Sequence, residues 1–132
     1  MLLSRSSCVV CDPHHPTGLH VSFSTTPDGA SIAAWTASAA WQGFEGIVHG
    51  GVIATLLDEA MSKAVAASGV AALTAELRVR YRHHVAAGER LVIKGRIVEQ
   101  TRRLIRAEAE LATEDGESRA QGWAVFLPPS KS

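Results

Sequence analysis

The sequence is poor in aromatic residues, poor in cysteine and without net charge. Aromatic side chains make up only 5% of it, so a core must be assembled from small aliphatics, and alanine is accordingly frequent. The 13 basic and 13 acidic side chains cancel, which leaves no global field to draw the chain to nucleic acid or to an anionic membrane. No apolar run approaches the roughly 20 residues that span a bilayer. The opening MLLSRSSCVVCDP has neither the basic start nor the long apolar stretch of a secretory signal, so a cytoplasmic protein is expected. Two cysteines, Cys8 and Cys11, are too few for a disulfide framework. What is present is 132 residues with 46% hydrophobic content, enough for one domain with its own core and too short for two. A neutral, alanine-rich domain has little charge to keep copies apart, and it is expected to hide apolar surface in an oligomer.

Residues 1–18 read as an irregular arm, because Pro13 and Pro16 forbid regular helix and Asp12 and Gly18 favour turns. Leu19, Val21 and Phe23 then alternate with His20 and Ser22, the period of a strand. Pro27-Asp28-Gly29 makes a turn, and Ser31 to Ala39 continues as an extended run. From Gly51 the period changes: Ile53, Leu56, Leu57, Ala60, Met61, Ala64 and Val65 form one apolar stripe on a helix that stops at Gly69. Leu77, Val79 and Tyr81 alternate with Arg78, Arg80 and Arg82, which predicts one buried face and one wet or interfacial face. Further strands are expected at Leu91 to Glu99, at Ile105 to Leu111 and at Ala120 to Leu127. Asp115-Gly116 marks a hairpin, and Pro128 with Pro129 stops the last strand, leaving a short tail at 128–132. The order β-β-α-β-β-β-β with short links imposes antiparallel pairing and lays the helix on one face of the sheet. The expected fold class is α+β, one domain over residues 1–132.

The chemistry concentrates at the start of the helix. Gly50 and Gly51 leave backbone N–H groups bare of side chains at the positive end of the macrodipole, where a carbonyl oxygen or oxyanion can be received. The same two glycines also suit a tight turn and close packing. Asp58 stands in the middle of the otherwise apolar helix, on a small polar stripe with Gly51, Thr55 and Ser62. A carboxylate on such a half-buried face is costly unless it is hydrogen-bonded or performs chemistry. Glu59 lies about 100° further round the helix and is read as a solvated surface residue. Gly50 and Asp58 are separated by about 12 Å along one helix axis, too far for a single carbonyl to touch both. If both act on one bond, antiparallel helices from two subunits must bring one chain's Gly50 beside the other's Asp58.

The segment from His49 through Gly50, Gly51 and Asp58 to Ala60 resembles the signature of hotdog-fold acyl-CoA thioesterases. The likeness is closest to the phenylacetic-acid-degradation type and its mammalian relatives, within the 4-hydroxybenzoyl-CoA-thioesterase-like superfamily. It extends upstream through Trp41-Gln42-Gly43-Phe44-Glu45-Gly46 and downstream through Leu73-Thr74-Ala75-Glu76-Leu77-Arg78-Val79-Arg80-Tyr81-Arg82, and takes in Cys8-Val9-Val10-Cys11-Asp12-Pro13. The resemblance implies a hotdog fold, one long central helix wrapped by an antiparallel sheet of five to six strands, paired as a dimer or a dimer of dimers. It implies hydrolysis of an acyl-CoA thioester to free acid and CoA, with coenzyme A entering only as part of the substrate and with neither cofactor nor metal. By matching position, Gly50 would supply the oxyanion-hole amide, and His49 would support the thioester or hold the loop. Asp58 of the opposite subunit would act as general base or nucleophile, and Thr74 would orient it or the attacking water. Gly51, Gln42, Phe44, Met61 and Arg82 are expected around the substrate. Several relatives place Asn or Gln six residues before the His; here that position is Gly43, with Gln42 beside it.

Cys8 and Cys11 with His14, His15 and His20 nearby could chemically bind zinc, but a second C-x2-C or a spaced His pair is missing. A cap over the sheet edge is expected of the pair instead. His83 and His84 at a strand end should point one in and one out. Arg78, Arg80, Arg82, Arg102 and Arg103 are candidates for CoA phosphates or for a solvated or subunit-facing surface. Other functions housed by such a fold are a hotdog enoyl-CoA hydratase and a non-catalytic acyl-CoA-binding protein.

Overall fold

The computed structural model describes residues 7–129; the first six residues of the expected arm and residues 130–132 of the expected tail lie outside the described residues. Among the described residues there are six strands: β1 (Ser24–Thr25), β2 (Ser31–Thr36), β3 (Leu73–Tyr81), β4 (Arg90–Gln100), β5 (Ile105–Thr113) and β6 (Ser118–Leu127). One α-helix, α1 (Gly50–Ala67), and a short 3-10 turn at Ala39–Trp41 complete the order. The strands form one antiparallel sheet in the order β1-β2-β4-β5-β6-β3. After β2 the chain runs the helix across the sheet and lays β3 at the far edge, beside the last strand.

The helix forms where the stripe predicts it. Ile53, Leu56, Leu57, Ala60, Met61, Ala64 and Val65 are all buried and face the sheet. Ser68 caps the C-terminus, and Gly69 follows at φ +86°, a left-handed position that glycine occupies without strain. The opposing face of the sheet is built of alternate residues: Leu91 and Ile93, then Ile105, Ala107, Ala109 and Leu111, then Ala120, Ala124 and Phe126. Each large side chain so buried is worth about 1.5–3 kcal/mol. Small residues in the middle of the sheet let the helix sit close, which is how a core poor in aromatics fills its volume.

The closest approach is at Gly95 of β4. A Cβ there would lie 2.4 Å from the carbonyl oxygen of Ala60, while the buried Ser31 Oγ donates to that same oxygen at 2.6 Å. Backbone meets backbone, so neither side can turn away. Gly95→Ala is therefore expected to force helix and sheet apart and to cost about 3 kcal/mol, seen as a lower urea midpoint. An unchanged midpoint would show that the two layers separate freely at this point.

Three expectations about the elements are corrected. Leu19 to Phe23 neither run as a regular strand nor join the sheet: His20 sits at φ +57°, in the left-handed region, and Leu19 N–H and Val21 N–H donate to the carbonyls of Val9 and Val10 in the arm. The extended run after Ser31 ends at Thr36, and Ala39–Trp41 turns instead. The face of Leu77, Val79 and Tyr81 is not buried within one chain, because β3 is an edge strand exposed along both faces, with Leu73, Leu77 and Tyr81 open.

Candidate active site

The loop before α1 is tied down by backbone and by one side chain. Gly43 N–H donates to the Ile47 carbonyl and Gly46 N–H to Gln42 Oε1 at 3.0 Å, while His49 N–H reaches the Trp41 carbonyl. His49 then caps the helix, in an extended conformation at φ −60° and ψ 134°. Its Nδ1 accepts from Gly51 N–H at 2.9 Å, and its carbonyl accepts from Val52 and Ile53 N–H. With Nδ1 accepting, the neutral ring carries its proton on Nε2. Of the first-turn amides, Gly50 N–H is the one that neither cap atom takes. Gly51, expected at the substrate, has its amide committed to His49, so Gly50 is the first-turn residue whose amide faces an incoming acceptor.

Tyr81, at the end of β3, was not among the expected site residues. Its hydroxyl donates to the Gly50 carbonyl at 2.6 Å and holds the first turn against the strand. Burial pushes the Tyr81 pKa above its ordinary value, so the donor stays protonated. Beside Gly50 opens a cleft of about 280 Å³ lined by Ile53, Tyr81, Arg82, His83 and His84. The signal in the sequence was the parity of Tyr81 with Leu77 and Val79, which aims all three at the helix side of the sheet.

Asp58 lies half-buried on α1, and Thr74 Oγ1 donates to its Oδ1 at 2.6 Å. A bulge makes this contact possible. Thr74 and Tyr81 are an odd number of positions apart, so strict alternation would put them on opposite faces of β3. The register between β3 and β6 shifts between Thr74 and Glu76, which returns Thr74 to the helix side. The hydroxyl fixes the orientation of the carboxylate. Gly50 and Asp58 share one helix, about 12 Å apart along its axis, so one chain presents a donor site and a carboxylate site without joining them.

The family model of the thioesterase superfamily matches residues 45–120, more than half of the chain. The chain belongs to the thioesterase superfamily. A crystal structure of a thioesterase superfamily protein is 30% identical with a TM-score of 0.86 over 90% of this chain, which spans 62% of that protein's length. PaaI from the phenylacetic acid degradation operon of E. coli is 18% identical at a TM-score of 0.77, covering 83% of either chain. A hypothetical thioesterase of Streptococcus pneumoniae solved with coenzyme A is 19% identical at 0.77, covering 84% of this chain and 87% of its own. No curated protein matches. The helix on a six-stranded antiparallel sheet is the expected hotdog fold. No helix among the described residues is long and apolar enough to cross a membrane.

Within this superfamily member the remaining expected site residues divide. Gln42 uses its amide oxygen to close the loop through Gly46. Gly43 packs on the His49 ring: a Cβ at position 43 would lie 3.2 Å from His49 Cδ2, so glycine there lets the capping ring seat. Arg82 lines the cleft, its guanidinium held by Gln121 Oε1 at 2.6 and 3.1 Å. Phe44 sits at the loop tip, 84% exposed, and is not brought to Gly50 or Asp58 within one chain. Met61 is wholly buried in the core against the sheet, its Cε near Gly122, and is not among the residues that line the cleft within one chain. His83 and His84 are both exposed, against one in and one out. Arg78 stacks over Trp123, 4.9 Å from the ring centroid, on the face turned away from the helix.

Glu59 is the largest correction. It is 8% exposed instead of solvated, because the arm covers it: Cys8 Sγ donates to its Oε2 at 3.2 Å. Cys8 and Cys11 therefore pack on the helix. Burial, with Cys8 and Glu59 adding to it, pushes the Cys11 thiol up to about 11.

Proposed function

We propose that this chain is an acyl-CoA thioesterase whose site is completed between two copies. The observation that carries the reading is the Asp58–Thr74 pair, a carboxylate oriented on the flank of the helix whose N-terminus keeps the Gly50 amide for an acceptor. The thioester carbonyl oxygen docks on Gly50 N–H, where the helix dipole favours developing negative charge. Asp58 of the second copy takes the proton of a water that attacks the carbonyl carbon, or attacks that carbon itself to form an anhydride that water then hydrolyses to free acid and the restored carboxylate; in both routes the C–S bond breaks and CoA leaves as thiolate. His49 holds the donor turn, and Arg82 at the cleft supplies local positive charge that the neutral chain otherwise lacks.

Two further facts support the reading. β3 leaves its outer edge and its apolar Leu73, Leu77 and Tyr81 open, and a second copy pairing there would cover them and bring antiparallel helices alongside. The Streptococcus pneumoniae thioesterase was solved as alanine variants at an aspartate and at a threonine sixteen positions further on, the separation of Asp58 from Thr74.

A panel of short, long and aromatic acyl-CoAs, read by release of free thiol, tests this. Thiol release from at least one member is expected. Hydration of an enoyl-CoA without thiol release would make the chain a hydratase instead, and tight binding without turnover would make it an acyl-CoA binder.

A further inference from the structure

We infer that Cys8, Cys11 and Glu59 form a binding site for a zinc-class divalent cation, which staples the N-terminal arm to α1. The three donor atoms, two sulfurs and one carboxylate oxygen, all lie within 4.8 Å of one another, and the Cys8 Sγ to Glu59 Oε2 distance is 3.2 Å. A tetrahedral zinc about 2.3 Å from sulfur and about 2.0 Å from oxygen holds such donors roughly 3.5–3.8 Å apart. Small side-chain adjustments therefore close the site around an ion. Among the described residues this is the one cluster of three such donors so placed.

One backbone amide already faces the Cys8 sulfur. Cys11 N–H points at Cys8 Sγ at 3.4 Å, and Asp12 N–H closes the turn onto the Cys8 carbonyl at 3.0 Å. An amide aimed at sulfur stabilises negative charge there. The turn is anchored from both sides, since Val9 and Val10 carbonyls accept from Leu19 and Val21 N–H and Val10 is buried in the core. Glu59 is fixed on a rigid helix. Two thiolates and a soft-to-borderline ion are matched in kind, whereas calcium or magnesium would require an all-oxygen set.

The balance of the step is simple. The dication replaces one proton on each thiol and binds the Glu59 carboxylate, giving a complex of net charge −1 with a remaining position for water. Lys63, one helical turn beyond Glu59 and close enough to act on Cys11 electrostatically, offsets that charge. Sequence spacing alone disfavours the site because the third donor is neither a cysteine nor a histidine and comes from 48 positions beyond Cys11. The ion would tie the arm to the same helical turn that presents Asp58. The inference does not depend on the thioesterase reading.

The test uses the full chain, thiols reduced and metal stripped by chelator, titrated with Zn2+ and separately with Co2+. Uptake of one Zn2+ per chain is expected, with a Tm that rises as free Zn2+ rises. Co2+ should give a thiolate-to-cobalt charge-transfer band in the near ultraviolet, which reports sulfur ligation in the unaltered chain. Cys8→Ser, Cys11→Ser and Glu59→Gln should each lose the stoichiometric uptake. No charge-transfer band in a chain whose two thiols titrate as free would overturn the proposal. So would Zn2+ uptake that persists undiminished when both cysteines are serine, since the histidines would then hold the ion.

Discussion

Asp58→Asn is expected to remove thiol release by roughly 10²–10⁴-fold in kcat while KM and Tm stay close to those of the parent chain. The substitution is chosen for its shape. Asparagine keeps a carbonyl oxygen where Asp58 Oδ1 accepts the Thr74 hydroxyl at 2.6 Å, so the contact between α1 and β3 survives. What disappears is the capacity to take a proton or to attack carbon. Steady-state release of CoA thiol together with thermal unfolding separates the two effects. Activity within a few-fold of the parent would remove Asp58 from the chemistry and leave it a structural partner of Thr74. Unfolding of the variant would be resolved by Asp58→Ser, which is smaller and still polar. The size of the effect follows from position: a carboxylate oriented by a hydroxyl on an adjacent strand can act as base without first reorganising.

How far the sequence foretold this arrangement depends on whether a feature is local. The helix was legible because its apolar stripe repeats every turn, and Ile53 to Val65 are buried as the stripe requires. The strands from β4 to β6 were legible for the same reason, at period two. Asp58 stood out as a charge on a small polar stripe. Thr74 did not follow from periodicity: alternation places it on the wrong face of β3, and only the bulge turns it toward Asp58. Position matching named it, and geometry explains it. Glu59 was misread because a helical wheel reports direction and not what lies there; the covering arm is some fifty residues away in the chain. Met61, expected at the substrate, carries the period of the buried stripe and is wholly buried with it within one chain. The run from Leu19 to Phe23 alternates as a strand does, yet His20 turns to φ +57° and the amides on either side of it find their acceptors in the arm, because buried amides pair wherever carbonyls are within reach.

Gly50→Pro is the sharpest probe of the other half of the site. Gly50 is the first helical residue, where the amide has no intrahelical acceptor and proline is well tolerated. His49 before it already has the extended conformation that a following proline demands, at ψ 134°. A Cβ at position 50 meets the Tyr81 ring at 3.4 Å, an ordinary contact. The helix should therefore persist, and the one amide offered to the thioester oxygen is deleted. A loss of about 10²–10³-fold in kcat is expected, with stability within about 1 kcal/mol of the parent. The two inactive variants then test whether Gly50 and Asp58 of one site come from different chains. In a mixed dimer of Gly50→Pro and Asp58→Asn chains, one site receives both damaged residues and the other receives both intact ones. Random pairing makes about half of the dimers mixed, so co-expression or refolding of an equal mixture should recover on the order of a quarter of parental activity. Recovery of none would place both residues in the same chain's site, and the 12 Å separation along α1 would then have to be bridged by the substrate instead of by a second copy.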